Sequence, residues 1–310
     1  GYRIDFFSAT TSGTLVDRKG SAIDVSSDWA RFPRMGFATD FRDSETPSLI
    51  QSETRTLAKY HINAVQFYDW FWRHDKFLKR TNGVPDSSYL ELFNRTVSTA
   101  TLRAKIVECQ SRNIAAQSYH LFNGARENYT DQGVQQSWGL FTAVPSSLAN
   151  QDKVVLSNVG HSIYMMDSAN TDWKNYIQNE YRDAISTMGY DSFHFDQLGP
   201  RGTLYNSTGG VVNLYDTFAG FLNEARTVLT GINSAARISF NNVVGYGQSE
   251  VWASNVDMMY REVWNFGGDW EYNDMSNIID ALAGYGKPVV IAAYMNYDEA
   301  KVNPAGSYFN

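Results

Sequence analysis

Seven short runs with strand-like spacing recur along the chain, at 34–41, 62–70, 115–122, 192–198, 237–243, 257–264 and 288–296. Helical patterns occupy most of the intervals between them. Trp173, Tyr176, Ile177, Ala184, Ile185 and Met188 share one helical face, and Leu214, Phe218, Phe221, Leu222, Ala225 and Leu229 share another. Met275, Ile278, Ile279 and Leu282 form a third, and Leu102, Ile106 and Cys109 a fourth. Strand and helix alternating at this spacing predict βα units around a parallel sheet. A doubly wound, nucleotide-binding sheet should carry a glycine-rich turn after its first strand, and Gly36-Phe37-Ala38-Thr39-Asp40-Phe41 has none. Polar and acidic residues instead end many of the runs: Asp40, Asp69, His120, Asp196, Asn241 and Glu262. A (β/α)8 TIM barrel gathers such strand ends around one mouth, so the expected fold is an α/β barrel.

Seven runs are one short of eight. The expectation is a barrel whose last strand is missing from this chain, or one with a strand hidden in 123–170. That stretch otherwise reads as a long loop over the mouth, rich in Gly, Asn, Ser and Gln. Residues 1–33 are expected to be a lead-in segment, and 34–310 the barrel, continuing into further domains of the same polypeptide. A start at Gly1-Tyr2 without Met reads as a mature or excised piece.

Composition narrows the partners. The 26 Lys and Arg against 33 Asp and Glu leave a net charge of −7, which argues against a nucleic-acid partner. Charged residues reach only 19%, while Phe, Trp and Tyr reach 15%, a balance suited to an uncharged polar ligand such as a sugar. The longest apolar stretch, 289–295, falls far short of the ~20 residues of a membrane span. A lone cysteine, Cys109, excludes a disulfide framework and is expected in the core. His61, His74 and His194 lack metal-ligand spacing, so no metal or other cofactor is expected.

The chemistry is concentrated in two runs. In Ser192-Phe193-His194-Phe195-Asp196-Gln197-Leu198, the two phenylalanines take one face, and Asp196 ends the other. In Met258-Met259-Tyr260-Arg261-Glu262-Val263-Trp264, Glu262 ends a strand between two aromatics. Two βα units separate them, which sets the carboxylates across the mouth. Paired carboxylates are the machinery of glycoside hydrolysis. Glu262, between Tyr260 and Trp264, suits the acid whose pKa is raised, and the shorter Asp196 suits the nucleophile. A chitinase-like reading requires a Glu two residues past an Asp on the fourth strand, and Gln197-Leu198 does not provide it.

Four runs resemble glycoside hydrolase family 66: Tyr60-His61-Ile62-Asn63 through Asp69-Trp70-Phe71-Trp72-Arg73-His74-Asp75, Phe193-His194-Phe195-Asp196-Gln197-Leu198-Gly199, Tyr260-Arg261-Glu262-Val263-Trp264, and Ala292-Ala293-Tyr294-Met295-Asn296-Tyr297. That family holds endo-dextranases and cycloisomaltooligosaccharide glucanotransferases. The resemblance implies a retaining enzyme that cleaves internal α-1,6-glucosidic bonds of dextran and isomaltooligosaccharides, secreted or at a bacterial cell surface. It places the nucleophile at Asp196 and the acid/base at Glu262. It also implies an immunoglobulin-like domain before the barrel, and a final strand and a β-sandwich after it. The glucanotransferases carry a large inserted binding module for which 310 residues leave no room, so the hydrolase is the favoured activity and the transferase the alternative. A glucan-binding barrel without activity is the rival of another class.

The expected substrate-binding residues are Asp40, Asp69, Trp70, Trp72, His120, Gln197, Asn241, Tyr260 and Trp264. Trp70 and Trp72 flank Phe71, so both should leave the strand on one face as stacking platforms. Asn-x-Ser/Thr triplets begin at Asn94, Asn128 and Asn206, and matter only in a eukaryotic source.

Overall fold

The computed structural model describes residues 2–263 and 272–293. Each of the seven expected runs contains one strand: β1 (Met35–Ala38), β2 (Ala64–Phe67), β3 (Ala115–Leu121), β4 (Ser192–Asp196), β5 (Ile238–Asn241), β6 (Met258–Val263) and β7 (Val289–Ala293). They pair in parallel, every strand beside its neighbour in sequence, from β1 at one edge to β7 at the other. Arg31, Phe32, Pro33 and Arg34, leading into β1, line one groove with Pro288 and Val289 at the start of β7. The sheet therefore curls until its first and seventh strands approach each other, as in a (β/α)8 barrel. Among the described residues no strand stands between β7 and β1.

Helices α1 (Pro47–Lys59), α2 (Thr99–Gln110), α3 (Thr171–Asp183), α4 (Phe218–Ile232), α5 (Gln248–Ala253) and α6 (Tyr272–Ala283) fall between the strands. Local chemistry starts several of them. The Thr46, Ser98 and Asn170 side chains accept from the backbone N–H three residues on, and Pro47 opens α1, where its missing N–H costs nothing. Beyond α3 the chain adds a wider turn over Ala184–Met188 and stops at Gly189, whose φ of 90° favours glycine.

The expected faces of α3 and α4 are buried, apart from half-buried Tyr176. Phe193 and Phe195 of β4 point outward against Tyr181 of α3, and Phe195 also meets Phe221 of α4. Phe218 packs on Phe240 of β5. The face expected on α6 is a correction: Leu282 is buried, but Ile279 is 49% exposed beside β7. Beyond the edge strand β7 no described element covers that flank of α6.

The segment 123–170 is not an irregular loop and hides no barrel strand. Gly124–Arg126, Lys153–Leu156 and His161–Met165 form their own antiparallel sheet, with the last in the middle. The Arg201 guanidinium clamps it through both oxygens of Asp152 at 2.9 and 2.7 Å. Residues 2–33 are more than a lead-in. Tyr2–Ala9 and Leu15–Ile23 form a hairpin with both faces largely exposed, so its apolar pattern gave no single face to read. Asp28 then ties the segment to the barrel by pairing with Arg237 just before β5.

Candidate active site

Alternation along each strand decides which side chains enter the barrel. On β4, His194 and Asp196 point inward because Phe193 and Phe195 fill the helix layer. Neighbouring strands carry the same parity across the register. His194 is level with Tyr119 of β3 on one side and with Ser239 of β5 on the other. Asn241 of β5 is level with Tyr260 of β6, and Glu262 lies one inward position further along.

This order puts Asn241 between the two carboxylates. Its amide nitrogen donates to Asp196 Oδ1 at 2.8 Å and to Glu262 Oε2 at 2.9 Å, which uses both amide hydrogens. The two acceptor oxygens are no farther apart than those two bonds laid end to end. Asp196 Oδ1 also accepts the backbone N–H of Gln197 at 2.8 Å, and Oδ2 accepts the Tyr119 hydroxyl at 2.8 Å.

Burial, and then the nearby charge of Glu262, push the Asp196 carboxyl up to about 6, against the pull of its three donors. Burial resists the ionisation of Asp196 because its short side chain keeps the carboxyl down among Tyr119, Asn241 and the Gln197 backbone.

Aromatic rings line the barrel below the pair. Tyr119 stacks on Tyr68 at 4.0 Å, and His194 meets Tyr260 edge to face at 4.7 Å. His194 Nδ1 shares a hydrogen with Ser239 Oγ at 2.8 Å, and burial drops its pKa to about 3, so the ring is neutral.

The other expected site residues divide. Asp40 and Asp69 lie just past β1 and β2 and share a cavity of about 410 Å³ with Arg42, Glu91 and Arg95. Asp69 sits at a φ of 50°, paired with Arg95 at 3.0 Å, and burial with the charge of Glu91 pushes it up to about 6. Asp40 is more open; burial works to raise it, but Arg42 at 2.5 Å holds it below its ordinary value. Tyr260 belongs to the inner wall. Trp72 is half-buried beneath the Arg73 guanidinium. Trp264 lies outside the described residues.

Three expectations are corrected. Trp70 is fully buried, its indole N–H donating to Ser118 Oγ at 3.0 Å, so it is core and offers no stacking surface. Strand β2 ends at Phe67, and the chain has already turned when it reaches Trp70 and Trp72. His120 points outward, because it is level with outward-facing Phe195; it bonds the His74 carbonyl and the Tyr181 hydroxyl, and burial drops it to about 3. The Gln197 side chain is buried, donating to the Asn241 carbonyl and accepting from the Gly199 N–H, so it braces the site rather than facing a ligand. Tyr119 and Tyr68 were missed. The parity of β3 could have found Tyr119 had its register against β4 been known.

Among the described residues no cluster of His, Cys, Asp or Glu is arranged to hold a metal ion. Cys109 is buried, and burial pushes its thiol up to about 11.

The profile of Glycosyl hydrolase family 66 matches residues 1–310. A cycloisomaltooligosaccharide glucanotransferase of Niallia circulans is 40% identical over 302 residues, 94% of this chain and 30% of that protein. A dextranase of Streptococcus salivarius is 24% identical over 324 residues, 95% of this chain and 38% of that protein. The chain thus spans about a third of these relatives' length. A crystal structure of a Paenibacillus sp. cycloisomaltooligosaccharide glucanotransferase complexed with cycloisomaltoheptaose superposes with a TM-score of 0.83 at 40% identity, covering 90% of this chain and 41% of that one. With a matching profile along its whole length and a curled parallel sheet that sets Asp196 and Glu262 side by side, the chain belongs to glycosyl hydrolase family 66.

Proposed function

We propose that this chain carries the catalytic centre of a retaining enzyme that opens internal α-1,6-glucosidic bonds of dextran-like glucans. Asp196 is the nucleophile and Glu262 the acid/base. The observation that supports it is the Asn241 bridge. Retaining enzymes hold their carboxyl groups about 5–5.5 Å apart and inverting ones roughly 6.5–9.5 Å, to leave room for a water. A single amide bonded to both carboxylates favours the shorter distance.

In the first step an Asp196 oxygen bonds to the anomeric carbon as the bond to the leaving oxygen breaks, and the Glu262 proton passes to that oxygen. In the second, a hydroxyl oxygen attacks the same carbon, its proton returns to Glu262, and Asp196 leaves as a carboxylate. With a pKa of about 6, Asp196 is mostly ionised at neutral pH, as attack requires.

The acceptor hydroxyl belongs to water in a dextranase and to sugar in a glucanotransferase. Identity of 40% to glucanotransferases against 24% to a dextranase favours transfer within the glucan over hydrolysis. The length argument for a hydrolase loses its force when the chain spans only part of its relatives. A substrate of polymer size puts the enzyme outside the cell. Dextran incubated with the enzyme and resolved by chromatography and mass spectrometry tests the reading: cyclic isomaltooligosaccharides are expected, all lost with Asp196→Asn. Linear products alone would make it a dextranase, and an active Asp196→Asn would refute the catalytic assignment.

A further inference from the structure

Asp196 receives its three donors unevenly. Oδ1 accepts two, from the Asn241 amide and the Gln197 backbone, which fills both of its lone-pair directions. Oδ2 accepts one among the described residues, from the Tyr119 hydroxyl at 2.8 Å. One lone pair is therefore left for a new bond, and it is on Oδ2. We infer that Oδ2 is the oxygen that attacks the anomeric carbon, and that Tyr119 is the positioning residue which selects that oxygen and steadies its charge. The inference rests on the reading of Asp196 as nucleophile and adds to it a residue and an atom.

The Tyr119 ring is placed to do this. It is clamped face to face with Tyr68 at 4.0 Å, and Phe37 meets Tyr68 edge to face at 5.5 Å. Register sets Tyr119 level with His194, one inward position below Asp196, so the phenol reaches up to the carboxylate. Burial, with the charge of Asp196, pushes the Tyr119 pKa well up, so its hydroxyl is a donor at every working pH. Among the described residues, the titratable groups around Asp196 are Glu262 from β6 and Tyr119 from β3. Tyr68 and Asp69 stand behind Tyr119, and neutral His194 and Tyr260 lie below.

A hydrogen bond to a carboxylate is stronger than one to the ester that replaces it. In the first step the Oδ2–C1 bond forms, the C1–O bond to the leaving sugar breaks, and Glu262 gives up its proton. The Tyr119 bond weakens as the charge is lost. In the second step the Oδ2–C1 bond breaks, the acceptor's proton goes to Glu262, and the Tyr119 bond strengthens as Asp196 recovers its charge. Tyr119 therefore aids the departure of Asp196 most.

The test uses Tyr119→Phe in the full-length enzyme and an isomaltooligosaccharyl fluoride, whose leaving group needs no proton from Glu262. The acid limb of kcat/KM then reports the ionisation of Asp196. Loss of a charge-assisted bond should move that limb up by about 1 pH unit. Slower departure of Asp196 should lower kcat about tenfold and KM with it. The limb position does not depend on how much of the variant folds. An unmoved limb with Asp196→Asn inactive overturns the role of Tyr119 alone, whereas turnover by Asp196→Asn on the fluoride overturns the nucleophile itself. A crystal structure of a trapped glycosyl-enzyme should show the sugar on Oδ2, and a bond to Oδ1 would overturn the choice of oxygen.

Discussion

The Asn241 amide nitrogen lies 2.9 Å from Glu262 Oε2 and donates its other hydrogen to Asp196. One neutral side chain thus sits between the two carboxyl groups and fixes their spacing. Asn241→Ala should lower kcat on dextran by about 10²-fold or more, since a misplacement of about 1 Å costs that much, with a much smaller change in KM. A variant with an unchanged kcat would show that the bridge does not set the geometry.

The pKa of about 6 at Asp196 makes it a cost to the fold at neutral pH. A carboxyl raised above its ordinary 3.8 binds its proton more tightly in the folded chain. Its penalty is absent below pH ~4, grows as pH rises, and is complete above pH ~6. Asp196→Asn keeps a carbonyl oxygen for the Asn241 and Gln197 donors, and its amide can donate to the Tyr119 oxygen. The variant should therefore be more stable than the wild type at pH 7, by about 2 kcal/mol. That gain should vanish near pH 4. Thermal melts at the two pH values decide it; a variant less stable at pH 7 refutes the burial argument.

Glu262→Gln should be very slow on dextran, yet should release fluoride from an activated glucosyl fluoride in a burst, because only the first step no longer needs its proton. Asp196→Asn should give no burst. Identical behaviour of the two variants would show that the roles are wrongly divided.

Trp70 packs against Phe77 and Tyr190 in the core, 5.6 and 4.9 Å between ring centres. Trp70→Ala should cost about 3–5 kcal/mol in urea denaturation while leaving KM for dextran nearly unchanged in the folded fraction. Trp72→Ala, at a half-buried site, should cost less. A stable Trp70→Ala with a raised KM would restore Trp70 as a sugar platform.

The seven strands and the identity of the facing carboxylates were legible because each rests on local pattern. A strand buried on both faces must be a short apolar run, and a polar residue at its end must face the mouth or a loop. Phe193 and Phe195 on one side of β4 left Asp196 only the other. The failures lie where parity or path depends on a neighbour. His120 and Tyr119 are adjacent on β3, and either is plausible at a mouth; the pairing of His120 with outward-facing Phe195 sends one to the helices and the other to Asp196. Trp70 looked like a strand residue until the chain turned after Phe67.

Order along the chain therefore dictated the alternation of strands and helices, and which acids end β4 and β6, since side-chain period and hydrophobic spacing are properties of a few consecutive residues. Tertiary structure alone decided that β5 lies between those strands and delivers Asn241 to both acids. It also decided that Tyr119 meets Asp196 across a gap of 77 residues, and that burial acts on Asp196. Hydrogen bonds and desolvation act over a few ångströms in space, and distance along the chain carries no measure of that.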